Sequence, residues 1–243
     1  MLEGPDLVHA ALNSPIEFEA IYVDEEHIDA ATLRDLQTKA STQGVRLFSL
    51  APGVLERVAD SATPQPVLAA VRLPLVSVDD IDCTGLILVL HDVRDPGNAG
   101  TLIRSADAAG ASGVVFTGQS VDPFNPKTLR ATAGSIFHIP IACGPLESSL
   151  ASFRSRGATV LATVVRGGVS HRNVDYSSPL AVVIGNEAFG LDEATVALCG
   201  GSITIDMVGE SESLNAGVAG SLIAFEAMWR RQDTTSVAPP PNL

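Results

Sequence analysis

Three stretches of this chain concentrate the residue types that do chemistry. They are Asp95-Pro96-Gly97-Asn98-Ala99-Gly100-Thr101-Leu102-Ile103-Arg104, Ile184-Gly185-Asn186-Glu187-Ala188-Phe189-Gly190-Leu191, and Ile205-Asp206-Met207-Val208-Gly209-Glu210-Ser211-Glu212-Ser213-Leu214-Asn215-Ala216. Each begins where a short apolar run ends and then turns through Gly and Asn. Ligands in open α/β sheets bind beyond the carboxyl ends of strands, so three such turns in order are expected to build one site. Their polar side chains are complementary. Asn98 and Asn215 both donate and accept hydrogen bonds, Glu187 only accepts when ionised, and Arg104 is a permanent cation with five donors.

Each of these residues also has a plain local reading. Asn98 stands at a helix start and could cap it. Arg104 could pair with Asp107 at i+3 on a helix surface. Glu187 could be a helix N-terminal charge ahead of residues 191–198. Two familiar nucleotide loops are argued against. The first stretch reads DPGNAG rather than GxGxxG, with no acidic residue at the right distance. Gly185 to Gly190 has phosphate-loop spacing, but Leu191-Asp192 stands where Lys-Ser/Thr is needed.

The elements around these turns read as α/β. In residues 1–72, strands are expected at Phe18–Val23, after Gly44–Leu47 and at Val67–Arg72, with a helix at Ala30–Thr42. The chain opens directly on Leu2-Glu3-Gly4, so the first strand is expected to be very short, or the start truncated. Residues 73–84, with Pro74 and Asp79, Asp80 and Asp82, read as a linker. Residues 85–231 form the second unit. Leu86–His91, Gly113–Thr117, Phe137–Ile141, Thr159–Val165, Leu180–Ile184 and Ser202–Ile205 are its expected strands. Helices are expected at Asn98–Ala109, after Asn125-Pro126, at Leu146–Arg156, and from an N-cap at Ser213 to about Arg231. Continuous apolar strands imply a parallel sheet buried on both faces. Residues 232–243, with three consecutive prolines, read as a disordered tail.

Composition narrows the class further. Apolar residues make up 46% and aromatics 5%, which suits an Ala/Val/Leu/Ile core. No apolar run is long enough to span a bilayer, and the N-terminus lacks the features of a signal peptide. The thiols of Cys83, Cys143 and Cys199, without any CxxC, read as buried and free in a reducing cytoplasm. His9, His27, His91, His138 and His171 share no ligand-like spacing, so no metal is expected. The net charge of −13 argues against bulk attraction to nucleic acid, and the acidity is uneven. Residues 1–84 hold 5 Lys/Arg against 14 Asp/Glu, and residues 85–243 hold 10 against 14. The pairs Lys127/Arg130, Arg154/Arg156, Arg166/Arg172 and Arg230/Arg231 read as ordinary solvated charge.

Taken together, Asp95–Ala106 (DPGNAGTLIRSA), Val183–Leu191 (VIGNEAFGL) and Ile205–Ala219 (IDMVGESESLNAGVA), with Lys127–Pro140 (KTLRATAGSIFHIP) between them, resemble the SpoU-type, TrmH-like RNA 2′-O-ribose methyltransferases of the SPOUT superfamily. The resemblance covers about residues 84–231. Residues 1–72 resemble, more loosely, the ribosomal-protein-like RNA-binding domain that often precedes this catalytic domain. It implies a SPOUT-type α/β fold with a C-terminal trefoil knot and bound S-adenosyl-methionine. Gly185, Ile205 and Leu214 are expected to line the cofactor pocket, with Thr163, Glu187, Met207 and Ser213 beside them. It also implies a homodimer whose site lies at the subunit interface, with Ala216, Gly217, Ala219, Gly220 and Ala224 allowing close helix approach.

Under that resemblance Arg104 binds phosphate and ribose and favours the developing alkoxide, since a ribose hydroxyl is a poor nucleophile. Asn98 orients Arg104 or the ribose, Glu187 orients Arg104 or Asn98, and Asn215 contacts substrate or holds the third loop. Ala188-Phe189 departs from the smaller or more polar residues common there, leaving Phe189 to stack on a base or close the pocket. The implied activity is methyl transfer to a ribose 2′-hydroxyl of structured RNA, 23S-type rRNA rather than tRNA, in the cytoplasm. The alternative is an RNA-binding or ribosome-assembly factor on the same fold.

Overall fold

The structure, a computed structural model, describes residues 1–59 and 63–236. The first layer comprises β1 (Leu2–Glu3), α1 (Pro5–Leu12), β2 (Phe18–Val23), α2 (Ala30–Thr42), β3 (Leu47–Ser49), α3 (Leu55–Val58) and β4 (Val67–Val71). Its sheet runs β1-β4-β2-β3. Alternation along the strands turns Ile21, Val23, Val67 and Ala69 toward Val8, Leu12, Leu36 and Ala40 of the helices. The first strand is, as expected, very short.

The second layer comprises β5 (Leu75–Val76), β6 (Leu86–His91), α4 (Pro96–Ala108), β7 (Gly113–Thr117), α5 (Pro126–Thr132), β8 (Ile141–Cys143), α6 (Leu146–Ser155), β9 (Thr159–Thr163), β10 (Val169–Ser170), β11 (Leu180–Ile184), α7 (Glu193–Leu198), β12 (Gly201–Thr204) and α8 (Ala216–Ser236). The sheet order is β10-β12-β9-β11-β6-β7-β8-β5, with every neighbouring pair parallel. The continuous apolar runs are explained by burial on both sides. Leu88, Leu90, Val114, Val182 and Ile184 join the cluster containing α4 and α8. Ile87, Val89, Val115, Ala181 and Val183 face Leu146, Leu150 and Phe153 of α6.

Strand order decides where the site lies. β11 is inserted between β6 and β9, and β12 between β9 and β10. Ile184 pairs with Leu90, and Ile203 with Thr163. The chain therefore leaves β6, β11 and β12 at one edge of the sheet, with α4 and α8 packed beside it.

Several local expectations need correction. Residues 73–84 are not a loose connector. They supply β5 on the edge of the large sheet, bury Ile81, and place the carbonyls of Val78, Asp79 and Ile81 under the Arg156 guanidinium. Of the strand expected at Phe137–Ile141, only Ile141 is in one. Ala133 and Gly134 take left-handed backbone, Ser135–Phe137 is a single 3-10 turn, and β8 begins only after Pro140, which lacks an N–H for the ladder. α4 begins at Pro96, because Asp95 is the cap. α8 begins at Ala216 rather than Ser213, because the Asn215 side chain accepts the Val218 amide at 3.1 Å. It runs to Ser236, so the expected tail is helical at its start; residues 237–243 lie outside the described residues.

Two of the basic pairs are engaged by carbonyls: Arg154 at Leu198 and Arg156 as above, and Arg230 and Arg231 at Arg172, Tyr176 and Ser178. The thiols are free, but none is fully buried: Cys143 is exposed, and Cys83 and Cys199 are partly so. Among the described residues no helix is long and apolar enough to cross a membrane.

Candidate active site

The first loop is set by its cap. Asp95 accepts the Asn98 amide at 2.7 Å, and Pro96 occupies the first helical position, where its missing N–H costs nothing. Asn98 is thereby held in the first turn of α4 with its side chain buried. Its Nδ2 donates to Glu187 Oε1 at 3.1 Å. The cap reading of Asn98 is thus replaced by a bridging one.

The second loop is tied by Asn186. Its Nδ2 donates to the Asp92 carbonyl at 2.8 Å, and its Oδ1 accepts the amides of Ala188 and Phe189. Backbone bonds between Asn186 and Gly190 close the turn, and Gly190 takes a left-handed φ of 68°. A methyl at Gly185 would stand 2.6 Å from the Gly190 carbonyl carbon and 2.7 Å from the Leu191 nitrogen, so only glycine fits there. The constraint displays Glu187 toward the first loop. Its Oε1 also accepts the Asp95 amide at 3.0 Å, and its Oε2 the Arg94 amide at 3.2 Å.

The third loop enters through α8. A methyl on Gly217 would lie 3.2 Å from Asn98 Oδ1, 3.1 Å from Asn215 Oδ1 and 3.4 Å from the Thr101 β-carbon. Asn98 therefore meets the second loop through its amide nitrogen and the third through its oxygen. Partial burial pushes the Glu187 carboxyl up. Hydrogen bonds from the Asn98 side chain and from the Glu187, Asp95 and Arg94 backbone outweigh that and hold it below the ordinary range. Glu187 is an anion at neutral pH.

A cavity of about 230 Å³ opens beside this junction. Thr163, Gly185, Glu187, Ile205, Met207, Ser213 and Leu214 all line it. Thr163 donates to the Val183 carbonyl at 2.9 Å, tying β9 to β11 at its rim. The walls are mostly aliphatic and backbone, with Phe189, Asn186, the Thr163 and Ser213 hydroxyls and one ionised carboxylate. That set fits S-adenosyl-methionine: aliphatic and backbone surface for a flat base, and a negative charge for a cationic part.

Arg104 and Asn215 are placed differently. Arg104 is exposed on α4 and does not line the cavity. Its expected local partner Asp107 faces His138 at 3.5 Å instead, and no ion pair to Arg104 exists among the described residues. Asn215 is exposed, its oxygen occupied in capping α8. Sequence reasoning missed Asp95 and Asn186, which fix the loops, and Ala219 and Ile223, which give the cavity an α8 wall. The Asx-turn propensity of Asn186 before Gly190 was a usable signal. The α8 wall had none, because it depends on where that helix docks.

A cavity at the carboxyl edge of a parallel sheet, with these walls, defines an α/β cofactor-binding protein. The chain belongs to the SpoU rRNA methylase family, which it matches over residues 85–225; residues 1–75 match the RNA 2′-O ribose methyltransferase substrate-binding family. It is 33% identical to the 23S rRNA (guanosine(2553)-2′-O)-methyltransferase RlmP of Bacillus subtilis, over 93% of this chain and 86% of that one. The AdoMet-bound rRNA methyltransferase of Sinorhizobium meliloti superposes with a TM-score of 0.81 at 33% identity, over 94% of this chain and 86% of that one. The SpoU methyltransferase AviRb of Streptomyces viridochromogenes, in complex with AdoMet, gives 0.82 at 28% identity, over 95% and 89%.

The Glu187 node carries a pH signature. Its folded pKa lies below the ordinary 4.5, so its contribution is in full above that value and is lost as pH falls through the folded one. Hydrogen-exchange protection of the Arg94 and Asp95 amides is expected to hold at neutral pH and to drop on acidification below about 4.5. In Glu187→Ala these amides should lack that protection at every pH.

Proposed function

We propose that this chain methylates the ribose 2′-hydroxyl of a nucleotide in 23S-type rRNA. The enzyme class, an S-adenosyl-methionine-dependent RNA (ribose-2′-O)-methyltransferase, follows from its family. The observation that carries the reading is the meeting of Asn98, Glu187 and α8 beside a cavity lined by the second and third motif loops. The choice of rRNA draws on its relatives, which are named for 23S rRNA in B. subtilis and for rRNA in S. meliloti.

Bound in the cavity, the cofactor supplies an electrophilic methyl on a sulfonium. Gly185, Ile205, Met207 and Leu214 enclose it and exclude water, while Thr163 and Ser213 offer hydroxyls at the rim. The Glu187 carboxylate favours a cation beside it and fixes Asn98. Arg104 is a permanent cation and a poor base. Its role is to hold phosphate and ribose and to favour negative charge as it develops on the attacking oxygen. Asn215 keeps its amide nitrogen for the RNA once its oxygen has capped α8.

Arg104 works on a site that its own chain does not bring to it, which supports a homodimer. α8 presents Val218, Leu222 and Trp229 exposed, with Phe225 half-buried, spaced four, three and four residues apart on one face. The small residues do not supply this surface. Gly217 and Gly220 lie against α4, where added methyls would meet Asn98, Thr101 and Leu102. A second copy covering the apolar stripe would bring Arg104 beside its cavity. The trefoil knot belongs to the same proposal, supported by the insertion of β11 and β12 between earlier strands. So do the division into a substrate-binding unit at 1–72 and a catalytic unit at 85–231, and a cytoplasmic location. No group of three metal-ligating side chains gathers among the described residues, and a direct methyl displacement calls for none.

Labelled methyl transfer from S-adenosyl-methionine to unmodified rRNA and tRNA transcripts tests the reading. Label on rRNA at one alkali-resistant position is expected, with Arg104→Ala slowed about 100-fold or more while its cofactor affinity stays unchanged. An Arg104→Ala enzyme at full rate would remove that residue from the mechanism. A wild type that binds rRNA and cofactor but transfers nothing to rRNA or to ribosomal particles would favour the assembly-factor alternative. Leu222→Arg is expected to give monomers by light scattering and to lose activity; active monomers would overturn the shared site.

A further inference from the structure

The sheet of the first layer has two unequal faces. One is covered by α1 and α2; the other carries Tyr22, Phe48 and Arg46. Tyr22 and Phe48 are directly paired neighbours on β2 and β3. Their rings stack with centroids 5.7 Å apart and planes 22° from parallel. The Arg46 guanidinium carbon stands 5.9 Å from the Phe48 ring centroid, and its Nη2 donates to the Glu19 carbonyl at 3.4 Å. Arg46 and Phe48 are exposed, Phe48 at 43%, and Tyr22 is partly so. Aromatics are 5% of the chain, so two stacked toward solvent beside a guanidinium are not the by-product of an aromatic-rich surface.

The unit that carries them is acidic, with 5 Lys/Arg against 11 Asp/Glu in residues 1–72. Counterion release through many basic contacts cannot be its main way of holding RNA. Unpaired bases offer another route, because every base has a π-face that stacks on aromatic rings or guanidinium planes. We propose that Tyr22, Phe48 and Arg46 form a platform for one unpaired nucleobase of the RNA substrate, with the Arg46 guanidinium also meeting that nucleotide's phosphate. The platform rests on the RNA-methyltransferase reading and deepens it. It gives the first layer a contact that reads single-stranded structure in the substrate, separate from the cavity where transfer occurs. A stacked base extends the existing pair by one ring, and a phosphate complements the Arg46 cation on that stack.

The test uses the full chain and reads RNA binding apart from catalysis. Fluorescence anisotropy with an rRNA fragment bearing an unpaired loop, and with the same fragment closed into a duplex, is measured for wild type, Phe48→Leu, Phe48→Trp and Arg46→Ala. Phe48→Leu keeps an apolar group on an exposed position and loses the π-face. It is expected to weaken loop binding about tenfold and to raise KM for RNA with kcat and S-adenosyl-methionine affinity unchanged. Phe48→Trp should retain wild-type binding, and Arg46→Ala should weaken it while flattening its salt dependence. Unchanged loop binding in Phe48→Leu overturns the platform whether or not the enzyme transfers methyl groups. A Phe48→Leu defect seen only on assembled ribosomal particles also overturns it, and assigns the patch to a protein contact. Failure of methyl transfer by wild type bears instead on the enzyme reading, because loop binding is scored without it.

Discussion

One carboxylate holds the site together. Glu187 accepts hydrogen bonds from the Asn98 side chain and from the amides of Asp95 and Arg94, so the second loop is pinned to the start of α4. Hydrogen bonds to an ionised acceptor are the stronger kind, about 1.5–3 kcal/mol when well formed. Glu187 is substantially exposed, which screens it toward the low end of such values. Its importance is geometric. Asn98, buried between Glu187 and α8, turns a tie between two loops into a junction of three.

The remainder of the fold reads as support for that junction. Parallel strands buried on both faces bring β6, β11 and β12 to one edge in fixed register. Asp95, Asn186 and Asn215 then shape one loop each by the same device, a short polar side chain bonding nearby backbone amides. Glycines stand where loops or helices must touch, at Gly185 against Leu191 and at Gly217 against Asn98. What remains is a mostly aliphatic cavity with one anion at its rim. Arg104, the cation of the proposed mechanism, lies outside it on α4, and the exposed apolar stripe of α8 has no partner among the described residues.

Much of this was legible in the sequence, for identifiable reasons. Buried parallel strands announce themselves as unbroken apolar runs, so Leu86–His91 and Leu180–Ile184 were placed to the residue. All seven expected cofactor residues line one cavity: six sit in the second and third motifs that the resemblance supplied, and Thr163 ends β9 beside them. Boundaries governed by single polar contacts were harder to read. Ser213 and Asn215 are both good caps, and only the docking of α8 selects Asn215. Leu75-Val76 is too short to signal a strand, and it becomes one only by pairing with β8. Arg156 looked like solvated charge, because nothing local indicates that three carbonyls converge on it.

The central claim is that Asn98 and Glu187 act as one unit in shaping the cofactor cavity. A double-mutant cycle on S-adenosyl-methionine affinity, measured calorimetrically for wild type, Asn98→Ala, Glu187→Gln and the double variant, tests it directly. The account predicts that each single change weakens binding and that the double change adds little more, a coupling of about 0.5–3 kcal/mol. Strictly additive losses, or cofactor affinity unaffected by either change, would contradict it.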